Sequence, residues 1–196
     1  CTHNSNVAAI TMRAVVQRVV NASVTVDSKV ISSIGRGACV LVGVTASDTN
    51  EDAEYITRKL LGLRLWDDAK GKRWAANVAK IEGEILLVSQ FTLYATLKGN
   101  KPDYHLAMNG DDSRAVYERM LVDLGKGYKS ECVKGGIFGA EMQVGLVNDG
   151  PVTIILDSNE RTPTVKPIKH GENTNKDNNN NNDNSSNNNN NNNNNI

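Results

Sequence analysis

The stretch Met142-Gln-Val-Gly-Leu-Val-Asn-Asp-Gly-Pro-Val-Thr-Ile-Ile-Leu156 decides how the rest of the chain is interpreted. Val144–Val147 and Val152–Leu156 are short, apolar and bounded by turn residues, a pattern that predicts two buried strands rather than a helix. Between them, Gly150 tolerates a positive φ, while Pro151 fixes its own φ and has no N–H to donate. A Gly-Pro bond can also adopt the cis form. The turn would present bare backbone carbonyls to a ligand, although an ordinary strand connection could have the same sequence.

The composition separates a folded core from the two ends of the chain. From about Asn173 onward the sequence is almost entirely Asn, with some Asp and Ser. Such a segment has too little apolar surface to offset the entropy lost on ordering. We therefore predict a folded domain over residues 12–158, a flexible extension over residues 1–11, and a disordered Asn-rich tail over residues 159–196.

The charged residues and the cysteines argue against several classes of protein. The chain has 22 Lys and Arg against 22 Asp and Glu, which disfavours nucleic-acid binding through bulk charge but leaves recognition through a local patch open. Its three cysteines form no CxxC pair and it has three histidines, so we expect neither a disulfide framework nor a metal site. No segment reaches the ~18 apolar residues of a membrane span. We expect a soluble, cytoplasmic protein that needs no cofactor.

Hydrophobic periodicity predicts an α/β fold in which two helices pack on a sheet. Three apolar strands open the domain, and a helix follows the capping residues Asp48–Glu51. A second helix is expected to begin at Ser113 and to end at Gly125, with a strand at Leu63–Trp66 between the two helices. The opening strands are predicted at Met12–Val26, Lys29–Ile34 and Ala38–Val44, and the apolar helix faces comprise Ala53, Ile56, Leu60 and Leu63 in the first helix and Tyr117, Met120, Leu121 and Leu124 in the second.

Polar residues directly follow the predicted buried strand Ile85–Val88, where binding loops commonly lie. Ser89 and Thr92 offer hydroxyl groups and Gln90 an amide, and successive backbone N–H groups could hold an oxyanion. A Ser or Thr nucleophile would need a nearby base, yet His105 is the only histidine of the core. Catalysis and a plain strand end are both compatible with this pattern.

Two further segments also have a structural and a functional interpretation. The basic loop Lys98–Pro102 is either a solvated turn or a phosphate contact made by Lys98 and Lys101. Phe138 follows two glycines that permit close backbone approach, and it either fills the core or walls a pocket.

Taken together, two polar motifs resemble the signature motifs of the D-aminoacyl-tRNA deacylases. These motifs are Ser89-Gln-Phe-Thr-Leu93 and Asn148-Asp-Gly-Pro-Val-Thr153. The similarity extends to the opening Met12–Val19, to the Lys98–Pro102 loop and to Phe138–Val144, so it covers residues 12–158.

The resemblance implies a curved, barrel-like sheet with packed helices, in a single domain that forms a homodimer. It implies chiral proofreading in translation, by hydrolysis of the ester that links a D-amino acid, or glycine in glycyl-tRNA(Ala), to the 3′ end of tRNA. In this family the Gly-Pro bond is cis and enters the partner's active site, although the sequence alone does not decide the isomer. By analogy, the carbonyls of Gly150 and Pro151 hold the amino group of the substrate and exclude L side chains. Further substrate-binding residues implied by the resemblance are Val152, Phe138 and Met142.

The resemblance also suggests how the polar motif after Ile85–Val88 works. Because the residues offer no nucleophile–base pair, our hypothesis is that water attacks the ester with help from the 2′-hydroxyl of the tRNA. Gln90 and the backbone N–H groups near Phe91 would then stabilise the oxyanion, and Thr92 as a covalent nucleophile is the alternative. The implied catalytic residues are Ser89, Gln90, Phe91 and Thr92, and the implied tRNA contacts are Lys98 and Lys101.

Two rival functions stay open at this point. A relative with a trans Gly-Pro bond would have a wider pocket and would act on other mischarged tRNAs. A non-enzymatic nucleic-acid-binding protein is the second rival, disfavoured by the balanced charge and by the lack of aromatic residues interleaved with basic ones.

Overall fold

The computed structural model describes residues 10–161, which form eight strands and two α-helices. The predicted N-terminal extension and Asn-rich tail lie almost wholly outside the described residues and stay predictions. The strands are β1 Arg13–Val26, β2 Lys29–Ile34, β3 Gly37–Gly43, β4 Glu84–Ser89, β5 Thr96–Lys98, β6 Lys101–Asp103, β7 Val133–Gly135 and β8 Gln143–Asp157; the helices are α1 Asn50–Gly62 and α2 Gly110–Gly127.

The long first strand, β1, organises the sheet because it pairs with three other strands. Along one edge it is antiparallel to β3 through Arg13–Val19 and to β2 through Ala22–Val26. Along the other edge it is antiparallel to β8 over almost its whole length. Parallel pairs of β3 with β4 and of β4 with β7 extend the sheet. Register shifts bend β1, and the sheet curls into a nearly closed, barrel-like layer, which confirms the predicted fold class.

Two groups of buried side chains lie on opposite faces of the central strands. Val40 and Leu87 belong to the larger group, which α1 and α2 cover, whereas their neighbours Cys39 and Leu86 belong to a smaller group on the other face. Successive side chains of a strand point to opposite faces, so β3 and β4 are buried on both sides. This double burial explains the nearly continuous apolar sequence of these strands.

The stretch Met142–Leu156 forms one strand rather than the two strands predicted. Val144–Val147 and Val152–Leu156 both pair with β1, so they lie end to end instead of side by side. The intervening residues are accommodated by register shifts opposite Gln17–Asn21. The prediction of burial is also wrong for most of this strand, since Val147 is 51 % exposed and Leu156 alone is buried among the described side chains of β8.

The helices begin and end at slightly different residues than predicted. In α1, the Asp52 carboxylate accepts hydrogen bonds from the Thr49 N–H at 2.9 Å and the Thr49 hydroxyl at 2.8 Å, which stabilises the predicted start. In α2 the cap is Asn109 rather than Ser113, because the Asn109 side chain accepts from the Asp112 N–H at 3.1 Å. The Ser113 hydroxyl instead donates to the Asn109 carbonyl, inside the first turn. The second helix continues past Gly125 to Gly127.

The predicted strand at Leu63–Trp66 is reduced to a single bridge between Trp66 and Ala76. At this bridge the Trp66 N–H donates to the Ala76 carbonyl at 3.2 Å, and the charged turn lies between the two residues. Neither α1 nor α2 combines the length and the apolar character that crossing a membrane requires.

Candidate active site

A cavity of about 510 Å³ opens where β4 ends, between the sheet and the first turns of α2. Five of the predicted site residues line it, and they come from two distant parts of the sequence. These residues are Ser89, Gln90, Phe91, Phe138 and Met142. Other lining residues had no predicted role in the site, and they include Tyr104, Met108, Ser113 and Tyr117.

The end of β4 turns directly into a 3-10 helix, Phe91–Tyr94. The Gln90 N–H donates to the Val42 carbonyl at 2.7 Å, which fixes this turn against β3. The first N–H groups of a helix have no acceptor within the helix, and here they belong to Phe91 and Thr92. The local fold therefore places two adjacent backbone donors beside the cavity, as an oxyanion requires.

Gln90 and Thr92 contact each other across this turn. The Gln90 side-chain amide donates to the Thr92 hydroxyl at 2.5 Å. Thr92 is not among the lining residues of the cavity, whereas Gln90 is. The hydroxyl thus orients the amide of its neighbour.

Tyr94 anchors the 3-10 helix to the sheet. Its hydroxyl lies within hydrogen-bond distance of two carbonyls, that of Thr11 at 2.8 Å and that of Gly43 at 3.0 Å. Burial raises the pKa of Tyr94 well above its ordinary value, so the phenol stays protonated and able to donate. A Cβ at Gly43 would lie 2.8 Å from the Tyr94 ring, and glycine therefore permits this close approach.

Tyr117 anchors the opposite wall of the cavity through hydrogen bonds of the same kind. Its hydroxyl, on α2, donates to the Leu87 carbonyl at 2.9 Å and accepts from the Gly136 N–H at 3.1 Å. Burial raises the pKa of Tyr117 to about 12. Its ring packs against that of Phe138 at 5.7 Å, and the Arg114 guanidinium lies 4.9 Å from the centre of the Phe138 ring. Phe138 therefore walls the cavity while also packing against the core.

Two aromatic side chains flank the mouth of the cavity. Phe91 is 56 % exposed and meets the edge of Tyr104 at a ring distance of 4.9 Å. Sequence reasoning missed Tyr104, for which the one available signal is an aromatic residue in the polar segment Pro102–His105. Such rings offer an apolar surface on which a flat group can stack.

The cavity has no general base of the usual kind. Among the described residues, its lining includes no His, Cys, Asp, Glu or Lys. His105 instead lies at the exposed surface, where its ring nitrogen Nδ1 contacts the Asp103 carboxylate. The hydrogen bond from Lys98 and the contact with His105 hold the pKa of Asp103 well below its usual range, which makes this carboxylate a poor base.

The predicted tRNA contacts Lys98 and Lys101 face each other across the β5–β6 pair, outside the cavity lining. Lys98 forms an ion pair with Asp103 at 2.5 Å and its side chain is 72 % exposed. The prediction of their role stays a prediction.

Gly150, Pro151 and Val152 do not line the same cavity. The Gly150–Pro151 bond is cis, and the Asn148 side chain brackets it by accepting from the Val152 N–H at 2.7 Å. Arg18 holds the preceding residue, donating to the Asp149 carbonyl at 2.9 Å. Within one chain, the two signature motifs therefore lie at separate sites.

Comparisons with known proteins agree on one family. The family model described as D-Tyr-tRNA(Tyr) deacylase matches residues 15–157. A D-aminoacyl-tRNA deacylase of Drosophila melanogaster is 53% identical over 157 residues, which are 80% of this chain and 99% of that protein. A D-aminoacyl-tRNA deacylase of Dictyostelium discoideum is 54% identical over 151 residues, which are 76% of this chain and 100% of that protein.

Two solved structures are also similar. One is that of a protein named c-Myc DNA Unwinding Element Binding Protein, with a TM-score of 0.71 and 52% identity over 74% of this chain and 97% of that one. The other is described as a probable eukaryotic D-amino acid tRNA deacylase, with a TM-score of 0.65 over 76% of this chain and 100% of that one. At 19% identity the second likeness shows the fold alone.

Proposed function

Since the chain belongs to the D-Tyr-tRNA(Tyr) deacylase family and is a hydrolase of ester bonds, we propose that it removes D-amino acids from tRNA without a protein nucleophile. The observation that carries this proposal is the composition of the cavity. It offers amide and N–H donors and aromatic surface, while none of its lining residues within the described chain is a His, Cys, Asp, Glu or Lys.

In the proposed reaction, water attacks the ester carbonyl and the 2′-hydroxyl of the terminal adenosine assists the proton transfer. A bond forms between the water oxygen and the carbonyl carbon, the bond to the 3′-oxygen breaks, and that oxygen takes the proton. Gln90 and the N–H groups of Phe91 and Thr92 stabilise the negative charge on the carbonyl oxygen. Preorganised donors of this kind contribute ~10²–10³ in rate each. Ser89 and the aromatic rings of Phe91 and Tyr104 hold the adenosine end.

The finer proposal is that two copies of the chain combine to complete each site. Gly150 and Pro151 lie outside their own cavity, and β8 leaves Val147 at 51 % and Ile155 at 66 % exposed. An exposed apolar strand face is suited to a two-fold contact with a second copy. The Gly150 and Pro151 carbonyls would then hold the amino group in the partner's cavity and block an L side chain. Glycine has no side chain to block, so glycyl-tRNA(Ala) would also be a substrate.

The test of this function is hydrolysis of D-tyrosyl-tRNA and L-tyrosyl-tRNA by the full chain. We expect fast loss of the D-ester and a stable L-ester. Loss of both esters would instead indicate the relative with relaxed chirality, and a stable D-ester would contradict the proposed function.

The role of Thr92 separates the two mechanisms. If the tRNA hydroxyl assists, Thr92→Ala lowers the rate only through the orientation of Gln90, and tRNA ending in 2′-deoxyadenosine is a poor substrate. Thr92→Ser is the matched control, because it keeps the hydroxyl. Near-complete loss of turnover in Thr92→Ala with unchanged tRNA binding would contradict the RNA-assisted mechanism.

The role of Gly150 is tested against a second glycine of the same strand. A Cβ at Gly150 would lie 2.6 Å from a Val152 methyl group, and its φ of +140° is one that other residues rarely adopt. At Gly145 the nearest atom lies at 3.4 Å, so Gly145→Ala is the control. We expect Gly150→Ala alone to impair hydrolysis of D-tyrosyl-tRNA, and unchanged hydrolysis would contradict the proposed position of the clamp.

DNA binding is the second candidate function, because the solved structure at 52% identity is that of a protein named for binding a DNA unwinding element. Mobility shifts with tRNA and duplex DNA at physiological salt distinguish the two functions. We expect a shift with tRNA at lower protein concentration than with DNA.

A further inference from the structure

A second cavity of about 540 Å³ lies beside Gly150, away from the candidate active site. The loop after α1, the turn between β2 and β3, and three residues of the β1–β8 pair surround it. Its lining residues are Arg18, Arg36, Trp66, Asp67, Arg73, Trp74, Asp149 and Gly150.

Hydrogen-bond donors outnumber acceptors among the side chains of this cavity. Guanidinium and indole groups donate and do not accept. Arg18 already uses its donors on the Asp149 and Leu65 carbonyls, and it neutralises the Asp149 carboxylate at 3.2 Å. Arg36 and Arg73 are exposed, and neither takes part in the ion pairs found within residues 10–161. Asp67 also lines the cavity, so its side chains carry three positive and two negative formal charges. The remaining positive charge suits a ligand that carries negative charge and acceptor oxygens.

The residue Trp66, which lines this cavity, contains an unpartnered buried donor. Trp66 is 2 % exposed, and its indole N–H has no hydrogen-bond partner among the residues the structure describes. An unpaired buried donor costs roughly 1–3 kcal/mol.

Trp74 adds an exposed aromatic surface. It is 54 % exposed, and one face of its ring lies 5.8 Å from the Arg18 guanidinium carbon. Its φ of +54° is unusual for so large a side chain. Strained positions of this kind concentrate at binding sites. Arginines around an exposed ring are the arrangement by which proteins bind single-stranded nucleic acid, through phosphate contacts and base stacking.

We propose that this cavity binds the unpaired 3′ strand of the tRNA whose aminoacyl end occupies the partner subunit's active site. Arg36 and Arg73 contact its phosphates, and Trp74 stacks on one of its bases. The proposal rests on the proposed function, in which Gly150 reaches into that site, and the cavity lies next to Gly150. The cavity would then be the local RNA-binding patch that is compatible with the balanced charge of the whole chain.

The experiment compares the full chain with three variants and one control in hydrolysis of D-tyrosyl-tRNA. The variants are the double change Arg36→Gln with Arg73→Gln, and the single changes Trp74→Gly and Trp74→Phe. Glycine accepts the positive φ at position 74 and removes the ring, whereas Phe keeps a ring on which a base can stack. Arg64→Gln is the matched charge control, since Arg64 is exposed in the same region and does not line the cavity.

We expect KM to rise about tenfold in the double variant and in Trp74→Gly, with kcat unchanged within about twofold. Trp74→Phe should restore most of the affinity. In the double variant the slope of log KM against log salt should fall by roughly 0.7 for each lost phosphate contact. A KM equal to that of the control, or a loss confined to kcat, would overturn the proposal while leaving the deacylase function intact.

A direct binding assay keeps the test independent of turnover. The chain has two tryptophans, so stacking of a short single-stranded RNA ending in CCA should quench fluorescence in the wild type and not in Trp74→Gly. If D-tyrosyl-tRNA were not hydrolysed, this assay would still show whether the cavity binds single-stranded RNA. Equal quenching in both proteins, or none in either, would overturn it.

Discussion

Arg18 is the residue whose replacement should show most clearly how the fold positions the Gly150–Pro151 segment. Its side chain is 17 % exposed and donates to the Leu65 carbonyl at 2.6 Å and to the Asp149 carbonyl at 2.9 Å. It thereby joins the loop after α1 to the middle of β8. Arg18→Met keeps the approximate length and apolar stem and removes every donor.

The expected cost follows from these contacts. Hydrogen bonds to charged groups contribute ~1.5–3 kcal/mol each when the partner is buried, and less when water can replace the donor. Leu65 is buried at 2 % exposure, whereas the Asp149 side chain is 38 % exposed. The ion pair with that carboxylate adds ~0–1 kcal/mol. We expect Arg18→Met to lower the free energy of unfolding by about 3 kcal/mol, which corresponds to a fall in Tm of roughly 6–12 °C.

The assay combines denaturant unfolding with hydrolysis of D-tyrosyl-tRNA and L-tyrosyl-tRNA at a temperature where both proteins are folded. Loss of the Arg18 tether should loosen the carbonyls of Gly150 and Pro151 and reduce the ratio of the D rate to the L rate. Asp149→Asn is the control, because it removes the ion pair and leaves the two carbonyl contacts. It should cost less than about 1 kcal/mol. The reasoning is refuted if Asp149→Asn costs as much as Arg18→Met, or if Arg18→Met changes neither Tm nor the ratio.

Three further predictions concern the fold that holds the site. Burial raises the pKa of Asp48 from 3.8 to about 7, so the folded state keeps a proton that the unfolded chain releases. This contribution to stability is complete below about pH 4 and is lost as the pH rises through 7. The free energy of unfolding, measured at pH 5 and pH 8, should therefore depend less on pH in Asp48→Asn than in the wild type, and an equal dependence would contradict the prediction. Tyr117→Phe removes two buried hydrogen bonds and should cost about 1–3 kcal/mol in denaturant unfolding and raise KM, whereas unaltered stability would show that water replaces the hydroxyl. A Cβ at Gly37 would lie 1.8 Å from the Glu84 carbonyl oxygen, so Gly37→Ala should separate β3 from β4 and lower the free energy of unfolding by about 3 kcal/mol or more. A Cβ at Gly62 would have no other atom within 4 Å, so Gly62→Ala should leave the free energy of unfolding unchanged in the same experiment.

Sequence patterns predicted the sheet strands well where burial on both faces dictates composition. The apolar runs of β3 and β4 and the helical spacing of Ile56 and Leu60 leave few alternatives. The same reasoning misjudged β8, because Gly150-Pro151 is also compatible with a turn. Only the length of β1, which pairs with both halves of β8, decides in favour of one strand.

The residues of the candidate active site also differ in whether the sequence could predict them. Ser89 and Gln90 could be found because polar groups follow an apolar strand, and the family motif identified Phe138 and Met142. Tyr104 could not be found in this way, since its contact with Phe91 depends on how the β5–β6 segment folds over the cavity.

The second cavity was missed for a related reason. In the sequence, Arg18, Arg36 and Trp74 lie far apart, and the charged segment Asp67–Arg73 beside Trp74 has the composition of a solvated turn. Long-range pairing of β1 with β8 and a bridge at Trp66 bring these residues together. Charge counts along the chain cannot show such a local grouping.

The pairing of β1 with β8 also has a consequence for how the chain can be rearranged. Arg13 lies opposite Asp157, and the Ser158 N–H donates to the Met12 carbonyl at 2.9 Å, so the two ends of the domain are neighbours. During synthesis, the longest ladder of the sheet has to wait for the last strand, which makes folding depend on a distant contact. A circular permutant that joins these ends through a short linker and opens the chain at the exposed Lys70–Gly71 would keep every strand pair. In that permutant β8 and β1 would become consecutive, and the most distant contact of the natural chain would become a local one.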